Sequence, residues 1–337
     1  MPLALSRRHA LAAGLAGVAA GTAMPRRARA ATKTKIRYLT SWFPQAEHGG
    51  YYQALATGLY ERAGLDVTID MGGPQVNGLQ LLTAGAADII MGYDIQVLGA
   101  IERKLPVVTV ATTFQSDLQG LMTHPDIKGI AQLKGHRILI ANTSYATFWP
   151  WLKQRFGFTD EQAGPYTFNL QPFLVDPNVA VQAYGTSEPF EAKQMGAQVN
   201  FFLFADDGYP PYGSTMVTRT EFAARQPDAL RGFIRASLLG WRDYMRDPAP
   251  GNKLIKQANP KMTDARIAYA IAQMKALRVL DGGDARTMGL GIMTPARWQK
   301  TRDFLVAGKI LSADTDWRAA FTTKFIDGMR IMPDGTT

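Results

Sequence analysis

Aromatic rings, carboxylates and amides recur just past the predicted strand ends of this chain. Trp42 and Glu47–His48–Gly49–Gly50 follow the first predicted strand. Gly72–Gly73–Pro74 with Asn77 follows the second, and Tyr93–Asp94 the third. In open α/β sheets, ligands sit beyond the carboxyl ends of strands. Gln115, Asn142, Ser144, Tyr145, Trp149, Tyr184, Glu188 and Tyr209 stand at comparable places, after later strands or beside linkers. The chemistry these types offer is recognition. Indole and phenol faces stack on a flat ring. Carboxylates accept from amino or ring N–H donors, and amides and hydroxyls read carbonyls.

Each residue also has a plain structural reading. Trp42 fits a stacking platform or a plug at a domain edge. Trp149, followed by Pro150–Trp151, fits a cleft wall or the buried face of a helix start. Glu47 fits a ligand-facing carboxylate or a helix cap. Gly49 and Gly50 let another group approach the backbone closely, and free N–H groups there suit an oxygen. Gly73 fits a donor loop or a tight turn. Asn142 and Ser144 fit ligand contacts or caps. A capping role suits Glu188 less, because Pro189 follows it.

Catalytic patterns are lacking. His48, His124 and His136 are far apart, and no cysteine occurs, which argues against a zinc site. No G-x-S-x-G elbow and no Walker-type loop is found. Only His48 falls in the proposed crevice, so a serine triad has no second base to draw on. The expectation is a binding protein, not an enzyme, with no cofactor and no metal.

The first thirty residues read as an export signal. Ser6–Arg7–Arg8 opens it, an apolar run from Ala10 to Met24 follows, and Ala28–Arg29–Ala30 supplies small residues for cleavage. Paired arginines before an Ala/Gly-rich run suit a twin-arginine signal, and two basic residues also open ordinary secretory signals, so both export routes stay open. The 337-residue chain is formally +9; residues 1–30 hold five arginines and no acids, so cleavage leaves +9 − 5 = +4. That residual charge, with no basic run interleaved with aromatics, argues against nucleic-acid binding. Without cysteine there is neither a disulfide nor an acylated anchor. No later run of 18 uncharged apolar residues exists. A soluble monomer in a Gram-negative periplasm, with no lipid anchor, is expected. Hydrophobic content of 46% against 19% charged reads as globular.

Strands alternate with helices, which predicts an α/β fold with largely parallel sheets. Ile36–Thr40, Leu65–Ile69, Asp88–Met91 and Val107–Phe114 read as strands, with helices Gly49–Arg62 and Asn77–Ala84 between. Leu118–Thr123 reads as a strand running into His124–Pro125, where a first crossing between two lobes is placed. Arg137–Ala141 and Val199–Phe204 read as strands, Asn178–Gln182 as a short helix, and Thr159–Gln162 as a capping box. Gly208–Gly213 is a turn-rich linker leading to strand Ser214–Thr218, the return crossing. Pro227–Met245, Thr263–Val279 and a helix starting at Thr294–Pro295 follow. The division is 1–30 signal, 32–122 first part of lobe one, 123–213 lobe two, 214–332 remainder of lobe one with C-terminal helices, and 333–337 tail. Two crossings between two lobes make a hinge that closes on a ligand.

At these residues the chain resembles the ABC-transporter solute-binding proteins of the sulfonate, taurine and nitrate group, on the branch related to thiamine-pyrimidine precursor binding and synthase proteins. The resemblance rests on W-x-P-x-x-E-H-G-G-Y-Y at Trp42–Tyr52, G-L-Y-x-x-A-G-L-D-V at Gly58–Val67, and G-G-P-Q-V-N at Gly72–Asn77. It continues through Ala84–Gly92, Leu133–Gly135, Ser187–Pro189 and Pro227–Phe233. It implies a type II periplasmic-binding-protein fold, two α/β lobes joined by a two-crossing hinge. It also implies capture of a small solute for an inner-membrane ABC permease. The pyrimidine branch implies a ring held between aromatics and read by carboxylates, here Trp42, Tyr93 and Glu188, with Asp94 as a further candidate. Eukaryotic synthases of the family carry a lysine and a histidine after the third strand and a cysteine motif. Tyr93–Leu98 has neither, and Gly208–Gly213 has no cysteine. A thiamine pyrimidine precursor is the first expectation for the solute; sulfonate, taurine, nitrate or riboflavin binding on the same scaffold, and then a pyrimidine-metabolism enzyme, are the alternatives.

Overall fold

The computed structural model describes residues 33–334; the expected export signal lies outside them. Among the described residues ten strands form two five-stranded sheets. They are β1 Thr34–Leu39, β2 Leu65–Asp70, β3 Ile89–Gly92, β4 Val107–Phe114, β5 Gln119–Thr123, β6 Arg137–Ile140, β7 Ala163–Pro165, β8 Val179–Tyr184, β9 Asn200–Leu203 and β10 Gly213–Arg219. The first sheet runs β2-β1-β3-β10-β4 and the second β7-β6-β8-β5-β9. Sequence pattern explains the inner strands. Every residue of β4 is buried, as a continuous Val/Thr/Ala/Phe run covered on both faces must be. On β2 burial alternates, with Leu65 and Val67 facing the core.

Both sheets are largely parallel, as the sequence led one to expect, with one antiparallel strand in each. In the first, β10 runs antiparallel to both β3 and β4. In the second, β5 runs antiparallel to β8 and β9. The cause is where the chain changes sheets. It leaves the end of β4 and enters β5 after four residues, and leaves β9 for β10 through Phe204–Tyr212. The parallel strands end at the face between the sheets. A strand that begins at that face must run away from it.

The same pairing moves the first crossing. His124–Pro125 was expected to mark it, but β5 already belongs to the second sheet, so the chain crosses at 115–118. Asn178–Gln182 is likewise strand β8, not a short helix. Its Val179–Ala180–Val181 run is buried and pairs with β6, while Val181–Tyr184 pair with β5.

The helices close each sheet. Helix Pro227–Tyr244 buries Leu230, Phe233, Ile234, Leu238 and Trp241 at helical spacing. It packs on helix Gly49–Ala56, and here the paired glycines find their use. A Cβ on Gly50 would lie 2.1 Å from the Trp241 ring, and one on Gly49 would lie 2.1 Å from the Tyr244 ring. The group that approaches this backbone is therefore a neighbouring helix, not a ligand. Thr263 and Thr294 cap helices Asp264–Ala276 and Pro295–Ala307 by accepting from the N–H groups of Arg266 and Arg297. Among the described residues no helix is long and apolar enough to cross a membrane.

Candidate functional site

A narrow cleft lies where the two sheets face each other. The first sheet contributes Ser41, Trp42, Gln45, Glu47 and His48 beyond β1, and Met91 and Tyr93 at the end of β3. The second contributes Gln182, Ala183, Tyr184 and Glu188 at and beyond the end of β8, with Thr143 beyond β6. Gln119 completes the wall from the first residue of β5. It can do so because β5 is antiparallel: Gln119 stands opposite Tyr184 in register. Strand ends from both sheets thus converge on one space.

Aromatic walls bound the cleft. Trp42 stacks on Tyr166 of the second sheet, centroids 6.0 Å apart and planes 23° apart, and meets Phe168 edge-on at 5.8 Å. Tyr93 and Tyr184 approach hydroxyl to hydroxyl at 3.2 Å.

Buried carboxylates give the cleft its charge. Glu47 accepts a hydrogen bond from Thr186 across the sheets. Burial pushes its pKa up to about 7, against the pull of Thr186 and of the Arg266 charge. Glu188 begins helix Glu188–Gln194, and its two oxygens accept from the Tyr166 hydroxyl at 3.1 Å and the Tyr184 N–H at 2.8 Å. Burial raises its pKa as well, offset in part by the Tyr184 N–H and Arg266. Just behind the lining, Asp117 accepts from the Gln119 side chain at 2.7 Å and from the Tyr184 hydroxyl at 3.5 Å, and burial lifts it to about 7. Gln182 Oε1 accepts from the Ala141 N–H and the Ser144 hydroxyl, both at 2.5 Å.

Two buried polar atoms of lining residues have no protein partner, Gln45 Oε1 and His48 Nδ1. Burial drives the His48 pKa down to about 3, so its imidazole is neutral. Among the described residues no lysine or arginine lines the cleft.

Six of the residues singled out in the sequence meet here: Trp42, Glu47, His48, Tyr93, Tyr184 and Glu188. The others stand elsewhere, and all but Tyr145 have a structural occupation. Gly73 packs against the Phe43 ring. Asn77 caps helix Gly78–Thr83 by accepting from the Gln80 N–H. Asp94 is fully buried off the cleft, where it accepts from the N–H groups of Ile95 and Tyr212 and the Thr301 hydroxyl. Gln115 donates to the Ile292 carbonyl. Asn142 is exposed and its N–H donates to the Pro74 carbonyl at 2.7 Å, while Ser144 holds Gln182. Tyr145 is exposed to solvent. Trp149 is core, its N–H donating to Asp160 at 2.8 Å. Tyr209 packs among Trp151, Phe204 and Phe304.

Gln45, Gln119, Gln182, Thr143, Ser41 and Met91 line the cleft without having been singled out. Gln45 was visible, three residues past Trp42 in the same polar loop. Gln182 was hidden by the helical reading of its strand, and Gln119 by the assumption that only carboxyl ends face the ligand.

A family model described as "NMT1/THI5 like" matches residues 45–250, more than half of the chain. The chain belongs to the NMT1/THI5-like family. It is 24% identical over 329 residues to a riboflavin-binding protein, RibY, of Chloroflexus aurantiacus, covering 92% of this chain and 91% of that one. It is 26% identical over 226 residues to a formylaminopyrimidine-binding protein of Halalkalibacterium halodurans, covering 63% and 67%. Its structure superposes on the periplasmic aliphatic sulphonate binding protein SsuA of Escherichia coli with a TM-score of 0.61 at 14% identity, covering 85% and 91%. That likeness carries the fold: this member of the family has the two-lobed periplasmic-binding-protein architecture.

Proposed function

We propose that this chain is the solute-binding component of an ABC importer, closing on a small planar heterocycle rich in hydrogen-bond donors, in first place a thiamine pyrimidine precursor. The observation that carries this reading is the cleft wall itself: Trp42, Tyr93 and Tyr184 beside the carboxylates of Glu47 and Glu188, with no cationic side chain among them. Rings stack on rings, and amino or ring N–H groups donate to carboxylates and to the unpartnered Gln45 oxygen. The formylaminopyrimidine specificity in one relative's name agrees with this. The expected export signal agrees with delivery to a permease from the periplasm.

A sulfonate or nitrate would meet two carboxylates here and no arginine or lysine among the lining residues, and oxyanions are ordinarily held by such cations. Riboflavin is the second reading, because the relative matched over almost the whole chain is named for it and its ring also suits aromatic walls. Catalysis has little to build on. The Ser41 hydroxyl donates to the Met91 sulfur at 3.4 Å, and no hydroxyl pairs with His48 Nδ1.

Titration of the purified protein with aminopyrimidines, riboflavin and taurine, followed by tryptophan fluorescence and melting, tests the reading. A bound solute at 100 times its dissociation constant adds about 2.7 kcal/mol of stability. An aminopyrimidine shift is expected. Tight taurine binding, or product formed from a pyrimidine, would overturn it.

A further inference from the structure

Behind the cleft, a buried arginine spans the seam between the lobes. Helix Asp264–Ala276 belongs to the first lobe: Ile267, Ala270, Ile271 and Met274 share a core with Ile36 and Tyr51. Its first turn carries Arg266, which is 8% exposed. The guanidinium turns away from that core and reaches only into the second lobe among the described residues. Nη2 donates to the Ser187 hydroxyl at 2.9 Å, Nη1 pairs with Glu191 at 2.8 Å, and the group lies 5.1 Å from the Phe168 ring centre. Phe168 in turn packs edge-on against Trp42, and Ser187 precedes Glu188. The charge of Arg266 also acts on Glu47 and Glu188, favouring their ionised forms.

We infer that Arg266 is a closure latch, a positioning residue that sets the balance between open and closed lobes, and with it solute residence time, without touching the solute. The inference rests on the two-lobed solute-binding reading. A buried guanidinium is tolerated only while paired. Here the hydrogen bond, the ion pair and the ring contact all lie across the seam, so parting the lobes breaks these three at once and leaves only the Glu47 charge on its own side. Truncating one member of a buried hydrogen-bonded charge pair acts chiefly on dissociation. The latch therefore acts on the closed state and leaves the folding of each lobe alone.

The chain has no cysteine, so single cysteines placed at exposed Asp66 and Lys134 give one clean label on each lobe. Spin-label distance distributions are measured for the otherwise native protein and for Arg266→Gln, Arg266→Lys, Glu191→Gln and the Arg266→Gln/Glu191→Gln pair, free and with 4-aminopyrimidine or riboflavin. Arg266→Gln is expected to lengthen the interlobe distance in the free protein and to speed release of a bound probe about tenfold. Arg266→Lys should fall between, and the double variant should add little to either single. If the parent closes on a probe while Arg266→Gln leaves distances and release unchanged, the latch fails and the binding reading stands. If neither probe binds but Arg266→Gln still opens the lobes, the latch stands and the solute assignment fails.

Discussion

Tyr93 and Tyr184 meet hydroxyl to hydroxyl at 3.2 Å, one from the end of β3 and the other from the end of β8. This contact joins the two sheets at the floor of the cleft. A net protein hydrogen bond contributes about 0.5–1.5 kcal/mol. Tyr184→Phe should therefore lower the melting temperature by only a few degrees, while solute affinity falls about tenfold, since 1.4 kcal/mol is a factor of ten. Calorimetric melting and titration on the same preparation separate the two effects.

Trp42→Ala removes a wall that the second sheet completes through Tyr166 and Phe168. Aromatic pairs contribute about 0.5–1.5 kcal/mol beyond their burial. Affinity should drop at least about tenfold, and the solute-dependent change in tryptophan emission should vanish. An undiminished emission change would move the ring-binding wall elsewhere.

Glu47→Gln should show its effect through pH. Burial holds the folded pKa at about 7, above the ordinary 4.5, so the folded protein binds this proton more tightly than the unfolded chain does. The stabilisation is complete below pH 4.5 and is lost as pH rises through about 7. The variant does not titrate there. Its ligand-free form should match the parent at acid pH and exceed it above neutrality by about 3 kcal/mol, at 1.36 kcal/mol per pKa unit. Donor-rich solutes should bind it more weakly above pH 7, where the parent carries the carboxylate, and about equally at acid pH. Urea unfolding at several pH values measures the first effect and titration the second.

Gly50→Ala should damage the fold rather than the site. The added methyl would sit 2.1 Å from the fully buried Trp241 ring. Overpacking of this kind costs about 1–3 kcal/mol, or more where the neighbour cannot move. A clear fall in the urea midpoint, with an unchanged dissociation constant at a temperature where the variant remains folded, is the expected result.

Asp94→Asn separates a structural carboxylate from a ligand-binding one. Asp94 ties the Tyr212 N–H and the Thr301 hydroxyl together away from the cleft, and burial raises its pKa to about 6. Its loss should lower the melting temperature and leave solute affinity within about twofold, because separated sites act independently. A large change in affinity would return Asp94 to the site.

The sequence by itself determined the local elements and the first half of the site. Residue spacing wrote β1, β2 and β4 and the helix Pro227–Tyr244, and Thr263 and Thr294 marked helix starts. Trp42, Glu47, His48 and Tyr93 were legible because they follow strands whose direction the alternating pattern implies. Tertiary structure alone decided what faces Trp42 across the gap. Strand direction after a crossing depends on where the other sheet stands, and no local propensity encodes it. Gln119 therefore reached the cleft unannounced, and Gln182 came with a strand stabilised only by partners on both sides. The same cause removed Asp94, Trp149 and Tyr209 from the site: position after a strand names a loop, but only packing decides whether its side chain turns toward solvent, core or guest.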